Sequence, residues 1–218
     1  MVHSAYEPLA IVVAGLAWLV LLALAAAGRG QRPRERDALH RAAGKRGEDL
    51  VTRTLQRVLG PDHTLVTDVR THSPGHTAQL DHLVLGPQGV ILLEVKFWRG
   101  AMTRGGAGTW ERKSLSRGRA RYSSPETQAL QHMDVVRQVL RHAGLGRLPV
   151  WTAVVLAHPR SRFSEATGRV PVLRPSELAA WIAGLPTLPN PPDERLRRRV
   201  VAVIDAGYGT AYRHVPWE

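Results

Sequence analysis

Along the chain, one long apolar stretch is followed by shorter apolar segments whose spacing predicts helices and strands. The long stretch covers residues 9–28, which read LAIVVAGLAWLVLLALAAAG and contain no charged side chain. Twenty residues in a helix span roughly 30 Å, the thickness of the hydrocarbon core of a bilayer. We therefore predict one transmembrane helix at residues 9–28, after a short N-terminus at residues 1–8.

The charges on either side of this stretch predict its orientation. Glu7 is the only charged side chain before it, whereas the residues just after it are basic: Arg29, Arg32, Arg34, Arg36, Arg41, Lys45 and Arg46. Positive charge marks the cytoplasmic side, so we expect a single-pass cell-membrane protein with its N-terminus outside and its domain in the cytoplasm. The basic linker at residues 29–41 would also attract anionic lipid head groups. A cleaved signal peptide is the alternative, but such peptides carry positive charge before a shorter apolar region.

The next segments predict a helix followed by three strands. Val51, Leu55, Val58 and Leu59 recur at helical spacing, which predicts a helix from residue 44 to 59. Strands are predicted at residues 64–70, 78–85 and 90–97, with a loop at residues 71–77 whose two histidines favour an exposed turn. The second and third strands are apolar on both faces, a pattern typical of central, covered strands.

The rest of the chain completes one domain at residues 42–218. Residues 98–121 are rich in glycine and arginine, with a further strand at residues 109–114. A helix is predicted from Ser124 to His142, then strands at residues 149–157 and 170–173 and helices at residues 175–185 and 192–205. The order helix, three strands, helix, strand indicates an α/β fold with a mixed sheet flanked by helices.

Composition limits the chemistry of this domain. The chain has no cysteine, which excludes disulfides, thiolate zinc sites and a thiol nucleophile. The net charge of +12 favours an anionic partner, either nucleic acid or a membrane surface. Part of that charge reflects a preference for arginine, since 27 Arg accompany only three Lys. The choice of lysine rather than arginine at Lys96, within a predicted strand, therefore suggests a specific role for this side chain.

Lys96 lies in a predicted hairpin that also carries two acids. If the Gly86–Gly89 turn is centred between Pro87 and Gln88, Asp81 faces Glu94 and Lys96 projects from the same side of the sheet. Opposed carboxylates in an apolar sheet need a shared proton, a cation or a divalent metal. The alternative is a buried Glu94–Lys96 ion pair beside a solvent-facing Asp81. Glu48, on the inward face of the first helix, is either a favourable helix-start residue or a further functional acid.

These residues carry a resemblance to known nucleases. Asp81 and Glu94-Val95-Lys96, after a helix bearing Glu48, resemble the motif of the PD-(D/E)xK nuclease superfamily. More narrowly, QLDHLVLGPQGVILLEVKFWRG at residues 79–100 is similar to the nuclease-related domain (NERD) family. The resemblance covers roughly residues 42–143 and includes Gly47-Glu48, Trp110 and the segment SPETQ at residues 124–128. Ser124 departs from it, because the family often has asparagine there.

The resemblance implies a restriction-endonuclease-like αβββαβ core that hydrolyses phosphodiester bonds of DNA or RNA with Mg²⁺ or Mn²⁺. Asp81 and Glu94 would hold the metal, with the Val95 carbonyl and Glu48 as further ligands. Lys96 would orient the attacking water and stabilise the charged transition state. Gln128 would line the site, although a plain surface glutamine is an equal alternative.

A basic strip follows the hairpin and favours nucleic acid, DNA in the first instance, as the partner. It consists of Arg99, Arg104, Arg112, Lys113, Arg117, Arg119 and Arg121, interleaved with aromatic residues. Such a strip suits phosphate contacts and base stacking; a solvated, arginine-biased loop is the alternative.

The sequence thus predicts a membrane-anchored, divalent-metal-dependent nuclease. Two other functions remain open on the same residues: a catalytically inactive, membrane-tethered module that binds nucleic acid or another partner, and a basic domain that packs on anionic lipid.

Overall fold

The computed structural model describes residues 37–106, 108–114, 118–164, 168–205 and 213–214. Its contacts divide the chain into two compact units, Met1–Ala43 and Gly44–Glu218. Residues 37–58 are helical, and α1 denotes the part of this helix in the second unit, residues 44–58. The elements below all belong to the second unit.

A large mixed sheet forms the centre of this unit. Its strands are β1 (Thr64–Ser73), β2 (His76–Gly86), β3 (Gly89–Lys96), β7 (Val150–Leu156), β9 (Val172–Leu173) and β10 (Arg213–His214). They lie in the order β10-β1-β2-β3-β7-β9. β1, β2 and β3 are antiparallel neighbours, whereas β7 is parallel to β3. β2 and β3 are therefore interior strands, as their apolar sequences predict.

A smaller sheet is formed by three strands between β3 and the next helix and by one strand that follows β7. It contains β4 (Gly100–Arg104), β5 (Thr109–Ser114), β6 (Gly118–Ser123) and β8 (Ser161–Phe163), in the order β6-β5-β4-β8. Only β5 was expected from the sequence, because glycine and arginine dilute the apolar alternation of the others. Trp110 and Met102 are fully buried beneath this sheet, together with Leu156 of β7.

Helices cover both faces of the large sheet. On one face, α2 (Pro125–His142) and α4 (Glu194–Asp205) pack on residues that include Leu92 of β3. On the other face, α1 and α3 (Leu178–Ala183) pack on residues that include Ile91 of the same strand. A short 3-10 turn at Pro175–Glu177 precedes α3. Adjacent residues of β3 thus point into two separate cores, so the strand is buried on both sides.

The β2–β3 hairpin confirms the predicted turn and most of the predicted register. Gly86 pairs with Gly89 across a two-residue turn, and the pairs continue to His82 with Leu93. Gly89 has a φ of 98°, a conformation that side chains disfavour. A Cβ there would also lie 2.7 Å from the Pro149 carbonyl oxygen. Glycine is therefore required at this end of the turn.

Two local predictions were wrong. The predicted loop at residues 71–77 is instead the tip of a long hairpin, since Thr71 pairs with Ala78 and Ser73 pairs with His76 around a tight turn. Val58 does not join the buried face of α1, because 40% of its surface is exposed. Alternating threonine and histidine extended the strands at the hairpin tip beyond their apolar cores.

The predicted transmembrane helix at residues 9–28 and the first residues of the basic linker lie outside the described part of the chain. Within the described ranges, no helix is both long and apolar enough to cross a membrane. The fold itself is a mixed α/β arrangement, as expected.

Candidate active site

The site lies where the pairing of β1, β2 and β3 is interrupted. β1 and β2 pair continuously from Thr64–Leu85 to Ser73–His76 except at Asp68 and Asp81. Asp68 adopts a φ of 56°, a left-handed conformation that aspartate tolerates better than most residues. Leu80 and Leu83, three residues apart, share one core cluster, so the alternation of faces shifts by one residue at Asp81. The carboxylate of Asp81 therefore sits at an irregular point of the sheet.

Asp81 contacts β3 through its side chain, beyond the point where the backbone pairs of the hairpin end. The sequence predicts that Asp81 directly faces Glu94, but the regular pairs of β2 and β3 end at His82 and Leu93. Beyond them, the Val95 amide donates a hydrogen bond of 2.7 Å to Asp81 Oδ2. The N–H and C=O of a strand residue point to the same side, so the Val95 carbonyl is also directed toward β2. The predicted direct opposition was wrong at this pair because the sheet is irregular there.

Glu94 and Lys96 form a compact pair on the α2 side of the sheet. The Lys96 ammonium lies 2.5 Å from Glu94 Oε1, and the Glu94 side chain is only 2% exposed. Lys96 also donates a 3.2 Å hydrogen bond to Gln128 Oε1 on α2. Ser124 caps α2, accepting a hydrogen bond from the Thr127 amide, and thereby starts the helix just before Gln128. The ammonium is thus held between β3 and the first turns of α2.

His132 is a member of the site that sequence reasoning missed. It lies one helical turn after Gln128, so both side chains share one face of α2. His132 Nδ1 is 3.3 Å from Glu94 Oε2. This contact lacks hydrogen-bond geometry, and Glu94 Oε2 is buried with no hydrogen-bond partner among the described residues. A buried carboxylate oxygen without a partner is costly unless a proton or a cation occupies it.

The two carboxylates have opposite pKa shifts. Burial, reinforced by the nearby charge of Glu94, raises the pKa of Asp81 to about 7. Burial also acts to raise the pKa of Glu94, but the contacts with His132 and Lys96 outweigh it and leave that pKa below its ordinary value. Near neutral pH, Asp81 is therefore the carboxyl group that takes up a proton, while Glu94 stays ionised.

Glu48 approaches the site from the opposite face of the sheet. Burial raises its pKa, and it interacts electrostatically with Lys96. Gly47 allows this approach, because a Cβ there would lie 3.0 Å from the Phe97 Cβ. Thr52 fixes the helix further: its hydroxyl donates to the Glu48 carbonyl and lies 2.8 Å from His82 Nε2 of β2.

The donor chemistry of the site suits a hard divalent cation only in part. Asp81, Glu94 and the Val95 carbonyl offer oxygen atoms, which Mg²⁺ and Mn²⁺ prefer. Glu94 Oε2 accepts no hydrogen bond from any described residue, so this oxygen is available to bind such a cation. In the described ranges, however, no three Asp, Glu or His side chains are grouped as a metal site. Glu48 therefore does not complete a three-carboxylate cluster in this arrangement.

Several arginines of the basic strip make contacts within the domain that the sequence does not predict. Arg104 forms two 2.9 Å hydrogen bonds with Glu126 at the start of α2, and the same carboxylate accepts a 3.0 Å bond from Trp110. Arg104 also lies 4.8 Å from the centre of the Phe163 ring. Its guanidinium therefore joins the small sheet to α2, and its contact with nucleic acid stays a prediction.

The other members of the strip differ from one another. Arg121 pairs with Glu111 at 3.1 Å on the surface, and Arg112 lies over the Tyr122 ring at 5.4 Å. Arg99 is exposed immediately after β3. The side chains of Lys113 and Arg119, and all of Arg117, lie outside the described residues. Arg99 and Arg121 thus keep exposed guanidinium groups on this side of the molecule.

These features are consistent with a nuclease of the PD-(D/E)xK-like class: a mixed sheet with α1 before it, a central hairpin and the Asp81, Glu94 and Lys96 side chains at one end. The family model of the nuclease-related domain, NERD, matches residues 43–157, more than half of the chain, and the chain belongs to this family. Comparison with curated proteins and with solved structures found no match.

Proposed function

We propose that this chain is a divalent-metal-dependent nuclease that hydrolyses phosphodiester bonds of DNA, with RNA as the alternative substrate. The observation that carries the proposal is the convergence of two buried or partly buried carboxylates and one lysine at the end of β3. Membership of the nuclease-related family supports the same reaction class. Structural ion pairs also occur in cores, but they seldom leave a buried carboxylate oxygen without a partner.

In this proposal, Asp81, Glu94 and the Val95 carbonyl hold Mg²⁺ or Mn²⁺. The cation supplies Lewis-acid polarisation of the phosphoryl oxygen and a water of lowered pKa. Lys96, beside Glu94 at the end of β3, would orient the attacking water and stabilise the developing negative charge on phosphate. Gln128 fixes the position of that ammonium through its 3.2 Å bond. His132 Nδ1 lies 3.3 Å from Glu94 Oε2, on the side of that carboxylate that faces α2.

We further propose that the domain is tethered to the cell membrane by a helix at residues 9–28, with the domain in the cytoplasm. The uncharged length of that segment and the basic residues after it support this placement. The cluster of arginines after the span would add attraction to anionic lipid.

A cleavage assay tests the proposed reaction. The full chain in detergent micelles is incubated with fluorescent single- and double-stranded DNA and with RNA, across Mg²⁺ and Mn²⁺ concentrations. We expect metal-dependent cleavage that EDTA stops and that Lys96→Ala reduces by about 100-fold or more, since the charge-stabilising group is lost.

Lys45→Ala is the matched control, because Lys45 forms an exposed ion pair with Asp49 on α1. It should retain wild-type cleavage. Salt-sensitive binding of nucleic acid without any metal-dependent cleavage would instead support a non-catalytic binding module and reject the proposed reaction.

A further inference from the structure

A cleft of about 800 Å³ lies away from the catalytic hairpin, beside the first half of β7. We call it the β7 cleft, and define it by Arg137, Arg141, Arg147, Trp151, Thr152 and Trp181 among its lining residues. Thr152 pairs with Leu92, whereas Glu94 and Lys96 pair with residues further along β7. The cleft and the candidate active site therefore occupy different parts of the same strand. Its volume is within the range of small-molecule sites.

The charge of the β7 cleft selects an anion. Arg137, Arg141, Arg147 and Arg169 line it, and no Asp or Glu is among its described lining residues. Arg137 lies 4.0 Å from Asp134 and donates to the Val150 carbonyl, so it is partly engaged. Arg141 and Arg147 are exposed and form no ion pair within the described ranges. Guanidinium groups of this kind bind phosphate through paired hydrogen bonds.

Part of the wall of the β7 cleft is aromatic. Trp151 and Trp181 both line it and are only partly buried. The Trp151 indole N–H donates a 2.9 Å hydrogen bond to the Gln88 carbonyl, which fixes the orientation of its ring. A planar heterocyclic base gains roughly 1–3 kcal/mol by stacking on such a side chain. The wall therefore favours a ligand that carries a ring as well as a charge.

We propose that the β7 cleft binds a nucleotide, with its phosphate at Arg141 and Arg147 and its base against the tryptophans. The inference goes beyond the proposed nuclease reaction and does not depend on it. A nucleotide combines the anion and the planar ring that these two features require.

Calorimetric titration of the full chain in detergent micelles, with EDTA present, tests the proposal with AMP as the probe. We expect saturable binding with a Kd below about 1 mM. Ribose 5-phosphate and adenosine, which each carry half of the ligand, should bind at least about tenfold more weakly. Equal binding of ribose 5-phosphate would overturn the assignment of a base subsite. An oligo-aspartate peptide that binds more tightly than AMP would overturn the assignment of a nucleotide.

Substitutions at the β7 cleft and elsewhere test where AMP binds. Arg141→Ala combined with Arg147→Ala should weaken AMP binding by about tenfold or more, whereas Arg57→Ala, at an exposed arginine of α1, should leave it unchanged. Lys96→Ala should also leave AMP binding unchanged; loss of binding there would place the ligand at the catalytic hairpin and reject the β7 cleft. Circular dichroism confirms that each variant is folded.

Discussion

At the scale of single residues, a buried histidine next to the site ties a strand to α1. His82 is fully buried, and its Nε2 lies 2.8 Å from the Thr52 hydroxyl. Because that hydroxyl donates to the Glu48 carbonyl, it accepts from His82, and the ring carries its proton on Nε2. His82 Nδ1 is buried and has no hydrogen-bond partner among the described residues. The neutral ring is therefore the form that fits this position.

This environment predicts a pH-dependent contribution to stability. Burial lowers the pKa of His82 to about 4, below its ordinary value of about 6.5. The unfolded chain then binds more protons between these values, so the stabilising contribution is complete above pH 6.5 and is lost as the pH falls toward 4. The shift corresponds to roughly 3 kcal/mol. The raised pKa of Asp81 acts in the opposite direction over a similar range.

Urea denaturation of wild type and His82→Gln from pH 7.5 to 4 isolates the effect of His82. The free-energy difference between the two proteins should shrink by roughly 3 kcal/mol as the pH falls. His40→Gln, at an exposed histidine, is the matched control and should show a constant difference. A constant difference for His82→Gln as well would show that the ring is not held neutral in the fold.

At the scale of elements, the small sheet depends on one carboxylate of α2. Glu126 is buried, accepts two bonds from Arg104 and accepts another from Trp110. Breaking a largely buried pair leaves its partner without compensation, so Glu126→Ala should lower the free energy of unfolding by about 3 kcal/mol. Chemical denaturation measures this loss.

Asp49→Ala is the control for that experiment, since it removes an exposed ion pair with Lys45 and should cost less than about 0.5 kcal/mol. Equal small losses for the two variants would mean that Arg104 and Glu126 do not join the sheet to the helix.

The elements also show what the sequence could predict. The β2–β3 hairpin was predictable because its glycine-flanked turn fixes the register and its strands are apolar throughout. The small sheet was not, because β4 is joined to α2 by the contact of Arg104 with Glu126, which no local sequence pattern reveals. The irregular pairing at Asp68 and Asp81 could not be predicted either, because no sequence pattern marks an aspartate that adopts a left-handed backbone conformation.

The candidate site was predictable in part for the same reason. Asp81, Glu94 and Lys96 lie just beyond the regular pairs of the β2–β3 hairpin, and strand alternation places Glu94 and Lys96 on one face. His132 required knowledge of which face of α2 covers β3. Its position four residues after Gln128 was the available signal, but periodicity alone does not say which helix meets which strand.

At the scale of the whole molecule, the proposed anchor predicts where the chain is found. After cell fractionation and alkaline extraction, the full chain should remain in the membrane pellet, while a variant lacking residues 9–28 should be released. The apolar span supplies the binding energy, since the basic linker alone gives only salt-sensitive attraction. Release of both proteins would reject the anchor, and a shortened mature chain by mass spectrometry would indicate a cleaved signal peptide.

The most direct test of the metal-centred hairpin is a Mn²⁺ titration of the full chain, followed by electron paramagnetic resonance of the free ion. We predict saturable binding with a stoichiometry of about one or two ions per chain, as metal-dependent phosphodiesterases require. Binding should be lost in the Asp81→Asn and Glu94→Gln double variant and retained in Lys96→Ala and in the control Asp49→Asn. Undiminished Mn²⁺ binding by the double variant, or no saturable binding by wild type, would contradict the account.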